Sequence, residues 1–186
     1  NLGLNLYQLE YENLQTSAVG AIGGVNGFTN FGDATTKGID LEFSWQTPIE
    51  GLSFSGVGNF NDSEYDTVNP IIAAAQPLLR PGARLINTLE SNYRFDVNYT
   101  TAIGRDWEAY GNLGYSHSGD RLNGNGLIVQ PYGLVNSTIG VRKDRWDIAF
   151  VASNLGDERG PTFLGTAGPN SGQGPLPRTV GLRVRV

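Results

Sequence analysis

Cysteine and methionine are both absent from the 186 residues, and histidine occurs once, at His117. Without cysteine there is no disulfide framework, no thiolate metal site and no cysteine nucleophile, and the compartment is left open. A lone histidine with no nucleophile motif gives an enzyme reading nothing to stand on. It also lacks companion ligands, so no metal and no cofactor is expected. Charge is scarce too: Asp, Glu, Lys and Arg make up 17% of the chain, with a net charge of −5. Nucleic acid, which needs a basic face, is excluded as a partner. Long apolar runs are missing. None exceeds the five residues from Ile71 to Ala75, whereas a membrane-crossing helix needs about 18. That excludes a helix but not a strand, because alternation averages out in a hydropathy window. No signal peptide opens the chain, and Leu2 already belongs to a strand pattern. Both features read as a processed chain or a piece of a longer one.

What the chain has is glycine, 26 residues of it, and period-2 alternation. Ile39, Leu41, Phe43 and Trp45 alternate with Asp40, Glu42 and Ser44. Tyr93, Phe95, Val97 and Tyr99 alternate with Asn92, Arg94, Asp96 and Asn98. Such spacing puts the apolar side chains on one face and the polar ones on the other. Further strands are predicted over 1–17, 52–61, 107–116, about 127–142, 146–153 and 178–186. In the first, the apolar phase slips between Leu6 and Tyr7, which a bulge or a mistaken face would each explain. A turn is predicted over 20–26. The segment 64–88 holds Pro70, Pro77 and Pro81 and reads as a long loop with a short helix over 71–79; loops of that length tend to be functional.

Connections alternate in length. Short ones lie near 47–51, 104–106 and 142–145, and long ones near 64–88, 118–126 and 156–177. An up-and-down sheet gathers the short turns at one end and the long loops at the other. The three tryptophans, Trp45, Trp107 and Trp146, each adjoin a short turn and each belong to the apolar face of their strand. One belt of indoles at one membrane interface has this arrangement. Arg94 with Asp96, Asp40 with Glu42, and Arg183 with Arg185 fall on the opposite face, where water removes the cost of about 2–4 kcal/mol that Arg meets at the lipid midplane. The fold class is therefore all-β: an antiparallel up-and-down transmembrane β-barrel segment of about eight strands, with short periplasmic turns and long extracellular loops.

Small inward residues, among them Ser53, Ser55, Asn59, Asn98, Thr100, Asn112, Gly114 and Ser116, leave more room than a closed eight-strand barrel needs. The last third carries Tyr132-Gly133-Leu134-Val135-Asn136, Trp146 after a short turn, Asn154-Leu155-Gly156-Asp157, and Pro177-Arg178-Thr179-Val180-Gly181. In order and spacing it resembles the C-terminal β-barrel of TonB-dependent outer-membrane receptors. Thr29-Asn30-Phe31-Gly32-Asp33-Ala34 through Gly38-Ile39-Asp40-Leu41-Glu42 resembles an earlier strand of that family, and 7–15 the strand before it. The resemblance covers essentially the whole chain. It departs at Val186, where the family ends on an aromatic residue, and in the absence of a plug domain and a TonB box.

The resemblance implies that 1–186 is the C-terminal portion of a plugged barrel of about 22 strands. It implies energy-dependent import of a bulky nutrient, such as a siderophore or glycan, across a Gram-negative outer membrane. Its partners would be outer-membrane lipid and lipopolysaccharide, the rest of the barrel and its plug, TonB acting through the plug, and a surface lipoprotein. Two other readings stay open: a self-contained eight-strand barrel with a structural or adhesive role, in which the first and last strands meet, and a soluble β-sandwich with buried tryptophans.

Candidate substrate-binding residues are Arg80, Arg84, His117 and Arg121, in or beside the long loops, where the arginines suit an anionic ligand or a lipopolysaccharide phosphate; solvated loop charge is the plainer reading. Asn61, Asp62, Glu64 and Asp66 have oxygen ligands for Ca²⁺ but lack an EF-hand spacing, and a solvated acidic rim is expected. The glycine-rich stretches lack a phosphate-cradle context.

Overall fold

A computed structural model describes residues 1–22, 25–75, 78–124, 126–160, 163–164 and 172–186. Twelve strands and one helix follow in order: β1 (Leu2–Ile22), β2 (Val25–Gln46), β3 (Leu52–Val68), α1 (Pro70–Ala75), β4 (Ser91–Ile103), β5 (Trp107–Ser118), β6 (Arg121–Leu122), β7 (Ile128–Val129), β8 (Tyr132–Lys143), β9 (Trp146–Ser153), β10 (Phe163–Leu164), β11 (Gly172–Gln173) and β12 (Thr179–Arg185). Eight of them form one antiparallel sheet, ordered β1-β2-β3-β4-β5-β8-β9-β12. Each neighbour in the sheet is the next long strand in sequence, so the topology is up-and-down. Among the described residues β1 pairs only with β2 and β12 only with β9. The sheet is therefore open, with two free edges.

Register fixes the faces. Leu41, Gly58, Tyr93, His117 and Gly133 form one row across the outward face. Asp40, Asn59 and Asn92 lie in the next row, on the inward face. Outward leucines, phenylalanines and tryptophans are extensively exposed, as a surface meant for lipid must be. Buried hydrophobic residues are correspondingly few. The main cluster is Phe31, Ala34, Tyr65 and Leu79, with Leu14, Val68, Ile72, Leu85 and Ile86 packed around it.

That cluster lies at the loop end of the sheet and explains the long loop. Above Phe60, β3 outruns β4, which begins only at Ser91. The chain from 82 to 90 takes β4's place. Tyr65 donates its backbone N–H to Ala83, Leu85 donates to Ser63, and Asn61 donates to Glu90. An exposed strand edge is thereby covered, and Leu79, Leu85 and Ile86 are brought onto Tyr65. Asn69 caps α1, its Oδ1 accepting the N–H of Ile71 at 3.0 Å, and Pro70 fills the first helical position.

Several sequence expectations are corrected. The first two strands do not stop near 17 and restart after a turn over 20–26. They run on to Ile22 and from Val25; residues 23–24 lie outside the described set. The apolar phase slip at Leu6/Tyr7 is not a bulge, because register is unbroken from Leu2 to Tyr11. The first irregularity comes after Tyr11, at Asn13, which adopts φ 54° and donates its N–H to Asp33. β3 extends to Val68, the helix is described over Pro70–Ala75 while 76–77 of the expected 71–79 lie outside the described set, and the strand expected over 127–142 begins at Tyr132, because 128–129 pair instead with 121–122.

Candidate functional site

The unbroken register of β1 turns the phase slip into a boundary. On the outward face Leu2, Leu4 and Leu6 give way to Gln8 and Glu10. Gln8, Lys37 and Asp62 form one row, directly above the row of Leu6, Ile39 and Phe60. Below that line the outward face is apolar; above it, charged. From Leu52 to Phe60 the apolar band spans nine residues, the length a tilted strand needs to cross a bilayer, about 9–11 residues. The inward face changes at the same height in the opposite sense. Gly3 and Asn5 give way to Tyr7, Leu9 and Tyr11, which line the inward face above that line.

Beneath the 82–90 segment the inward face holds a connected set of side-chain hydrogen bonds. Ser63 Oγ donates to Asn61 Oδ1 at 2.9 Å. Asn61 Nδ2 donates to Asn59 Oδ1 at 2.9 Å and to the Leu89 carbonyl at 2.7 Å. Asn59 Nδ2 donates to Tyr7 Oη at 2.8 Å and to Asp40 Oδ1 at 2.7 Å. Asn5 Nδ2 reaches Asp40 Oδ2 at 3.3 Å. Alternation places every one of these residues on the same face of β1, β2 and β3. Two adjoining clefts open on this ladder. One, of about 550 Å³, is walled by Tyr7, Leu9, Tyr11, Leu14 and Leu85. The other, of about 700 Å³, lies lower and includes Glu42, Asn92 and Arg94. Both share Asn5, Asp40 and Asn59.

Nearer the short turns the inward face carries a second network. Tyr110 Oη donates to Asp147 Oδ1 at 2.6 Å and accepts from Arg183 Nη2 at 3.1 Å. Arg142 pairs with Glu108 and lies 5.6 Å from the centre of the Tyr110 ring. Arg94 pairs with Asp96 through two hydrogen bonds, at 2.5 and 2.7 Å.

The four loop residues singled out from sequence fall in different places. Arg84 is committed to the protein. Its Nη1 donates to Asp120 Oδ2 at 2.7 Å, and its Nη2 donates to the Asp120 carbonyl at 2.6 Å and the Thr88 carbonyl at 3.0 Å. Glu90 adds an ion pair at 3.2 Å. Arg84 thus clamps the 69–90 loop to the 119–131 loop. Arg121 is half-buried in β6. Arg80 is exposed beside the Leu79 cluster. His117 faces outward, stacked on Tyr93 with ring centroids 4.7 Å apart. It belongs to an outer aromatic row with Phe60, Tyr93 and Tyr115 and does not join the arginines. Sequence reading missed that row because it followed tryptophan alone. It also missed Tyr7, Leu9 and Tyr11, whose alternation with Gln8 and Glu10 was the available signal.

All three tryptophans are exposed on the outward face. Trp45 stacks on Phe54, centroids 5.7 Å apart. Lys143 stands opposite Trp146 and 6.0 Å from the Trp107 ring. The register row of Trp45 passes through Phe54 and Val97 to Leu113, which is six residues from Trp107 (113 − 107). Tilted strands require a stagger of this kind.

The Asn154-Leu155-Gly156-Asp157 motif closes the neck of the last long loop. Asn154 Nδ2 donates to the carbonyls of Glu158 and Leu176 at 3.0 and 2.9 Å, and its Oδ1 accepts from Glu158 N–H. Asp157 accepts two hydrogen bonds from Arg159 and one from the Arg178 backbone N–H. These bonds, the Arg159 pair foremost, hold its carboxyl below the ordinary carboxylate range. Among the described residues no cluster of three or more His, Asp or Glu is placed to hold a metal ion, and no helix is long and apolar enough to cross a membrane.

A family model described as TonB dependent receptor-like, beta-barrel matches residues 1–155. No curated protein sequence matches the chain. Among solved structures, the ferric yersiniabactin uptake receptor FyuA from Yersinia pestis is similar over 100% of this chain and 27% of its own, with a TM-score of 0.78 and 22% identity. BauA, the ferric preacinetobactin receptor from Acinetobacter baumannii, is similar over 99% of this chain and 26% of its own, with a TM-score of 0.67 and 15% identity. The chain thus spans about a quarter of the length of these receptors, and at such identity the likeness is one of fold.

Proposed function

Since the chain belongs to the TonB-dependent receptor β-barrel family, we propose that residues 1–186 are the C-terminal wall of an outer-membrane barrel that imports a bulky, scarce nutrient such as a siderophore or a glycan. The observation that carries this reading is the two-faced open sheet: an apolar band nine residues tall outside, polar side chains inside, and strand edges at β1 and β12 that further barrel strands would complete.

In this reading the outward leucines and phenylalanines meet the lipid of a Gram-negative outer membrane. Trp45, Trp107 and Trp146 sit at the periplasmic interface, where an indole keeps its N–H wet and its rings in lipid. The rows of Phe60, Tyr93, Tyr115 and His117 mark the outer one. Inside, the Tyr110–Asp147–Arg183 and Arg94–Asp96 groups face a plug, which TonB would displace. Arg80 is the loop cation left to meet substrate or a lipopolysaccharide phosphate. The protein's work is transport rather than catalysis. A self-contained eight-strand barrel is not favoured, because Leu2–Leu9 is not paired with Val180–Arg185.

Uptake by the intact receptor tests the proposal. Cells carrying it should take up the nutrient only while TonB is present. Uptake of equal rate in cells without TonB would remove active transport from the reading.

A further inference from the structure

We infer that the cleft beneath the 82–90 segment binds a neutral, polyhydroxylated ligand, an oligosaccharide, and not an anionic ferric chelate. This deepens the transport reading and rests on it. The argument begins with charge. Among the described residues the inward face of β1–β4 carries the carboxylates of Asp40, Glu42 and Asp96 and one guanidinium, Arg94. Arg94 is held by Asp96. The cation of the segment that covers the cleft, Arg84, is held by Asp120 and Glu90. Asp40 has only the amides of Asn5 and Asn59 as hydrogen-bond partners among the described residues. An anionic chelate entering here would meet unneutralised carboxylates. A hydroxyl would meet acceptors.

The donors and acceptors are also arranged for hydroxyls. Tyr7 Oη accepts from Asn59 and donates to no partner among the described residues, so its proton is available to a ligand. Asn59 and Asn61 have their amides oriented by the ladder and are partly exposed. Asp40 stands between Asn5 and Asn59 in one register row, each neighbour about one strand spacing away, close to 4.8 Å, and the Tyr7 phenol reaches Asn59 from the next row across Gly38. Each sugar hydroxyl is at once a donor and an acceptor, so carboxylate, amide oxygen and phenol can each meet one. The opposite requirement, an apolar surface for the C–H face of a sugar ring, is met on the same wall. Tyr11 is 41% exposed and Leu9 47% exposed, both facing inward above the ladder, with Leu85 across the cleft. Apolar walls with a few fixed polar groups are the usual make-up of a small-molecule site.

The test uses the intact receptor, purified in detergent, against an array of neutral oligosaccharides of glucose, mannose, galactose and N-acetylglucosamine, with ferric citrate as the anionic probe. At least one oligosaccharide should be retained. Its affinity should fall roughly tenfold in Asn59→Ala and in Tyr11→Ala, each variant keeping the heat-modifiable gel mobility of a folded barrel. Ferric citrate should bind no better than background. Retention of no neutral oligosaccharide, or retention unchanged in both variants, would overturn the inference. TonB-dependent uptake of iron without sugar binding would overturn it and leave import standing. Sugar binding without any TonB-dependent uptake would instead remove the transport reading.

Discussion

The ring of Tyr7 lies directly over Gly38 on the neighbouring strand, so close that a Cβ at position 38 would occupy the space of the phenol. The glycine is what lets Tyr7 lie flat along the inward face and place its hydroxyl against Asn59. Gly38→Val should push Tyr7 off this site and cost about 1–3 kcal/mol, the usual penalty of overpacking. Urea unfolding of the receptor reconstituted in lipid vesicles would read this as a lower midpoint at unchanged slope. An unchanged midpoint would show that Tyr7 is free to move aside.

Depth should decide the cost of charge on the outward face. Leu41→Arg places a guanidinium in the apolar band and should destabilise by about 2–4 kcal/mol, whereas Gln8→Arg, in the first polar row above that band, should cost about 0–1 kcal/mol. The same vesicle unfolding assay measures both. Equal penalties would place the membrane boundary elsewhere.

Arg84 ties two long loops together, and its removal should loosen both. In Arg84→Ala the backbone bonds from Leu85 to Ser63 and from Asn87 to Leu122 lose their clamp. Hydrogen exchange at those amides should rise by roughly tenfold or more, as expected when hydrogen bonds to a charged group of about 1.5–3 kcal/mol are lost. Arg84→Lys should rescue only partly, because an ammonium cannot reproduce the fork that grips Asp120 and Thr88. Full protection in Arg84→Ala would leave the clamp without an energetic role.

The neck of the 154–178 loop should depend on pH. Asp157 is held below the ordinary carboxylate range by Arg159 and the Arg178 amide. Its folded-state value therefore lies below its unfolded one. The stabilisation it contributes is fully present above the unfolded value, about 3.9, and is lost as pH falls through the folded value. Protection of the Arg178 amide, relative to its intrinsic exchange rate at each pH, should fall over that acidic window, and Asp157→Asn should abolish the change in protection. A flat profile in the unsubstituted protein would contradict it.

Much of the fold could be read from local pattern. The strand 91–103 was legible because Tyr93, Phe95 and Val97 alternate with Arg94 and Asp96 without a break, and the turns near 47–51, 104–106 and 142–145 because Gly51, Gly104 and Asp144 mark them. Beyond the membrane the pattern faded. From Tyr7 to Tyr11, β1 exposes Gln8 and Glu10 outward and turns Tyr7, Leu9 and Tyr11 inward, so the alternation persists with its sign reversed. A reading that expects the apolar face always to be the lipid face sees a fault there. The end of β3 was hidden for a related reason: its upper edge is covered by loop backbone rather than by a strand.

The candidate site divides the same way. Asp40, Asn59 and Asn61 are marked by sequence as inward residues, since alternation is a property of each strand alone. That they form one ladder with Tyr7 depends on the register of β1 against β2 and of β2 against β3, which is set by contacts between residues as much as 52 positions apart. Arg84 looked like a free loop cation because sequence separation conceals Asp120, 36 residues away. His117 looked like a loop residue because only the pairing with Tyr93 shows which face it occupies. The sequence by itself determined that the chain makes antiparallel strands with one apolar and one polar face, because a side-chain period of two follows from backbone geometry. Tertiary structure alone decided where the strands leave the membrane, which polar residues meet and which charges are neutralised, because those outcomes depend on distances between strands and loops that no local pattern encodes.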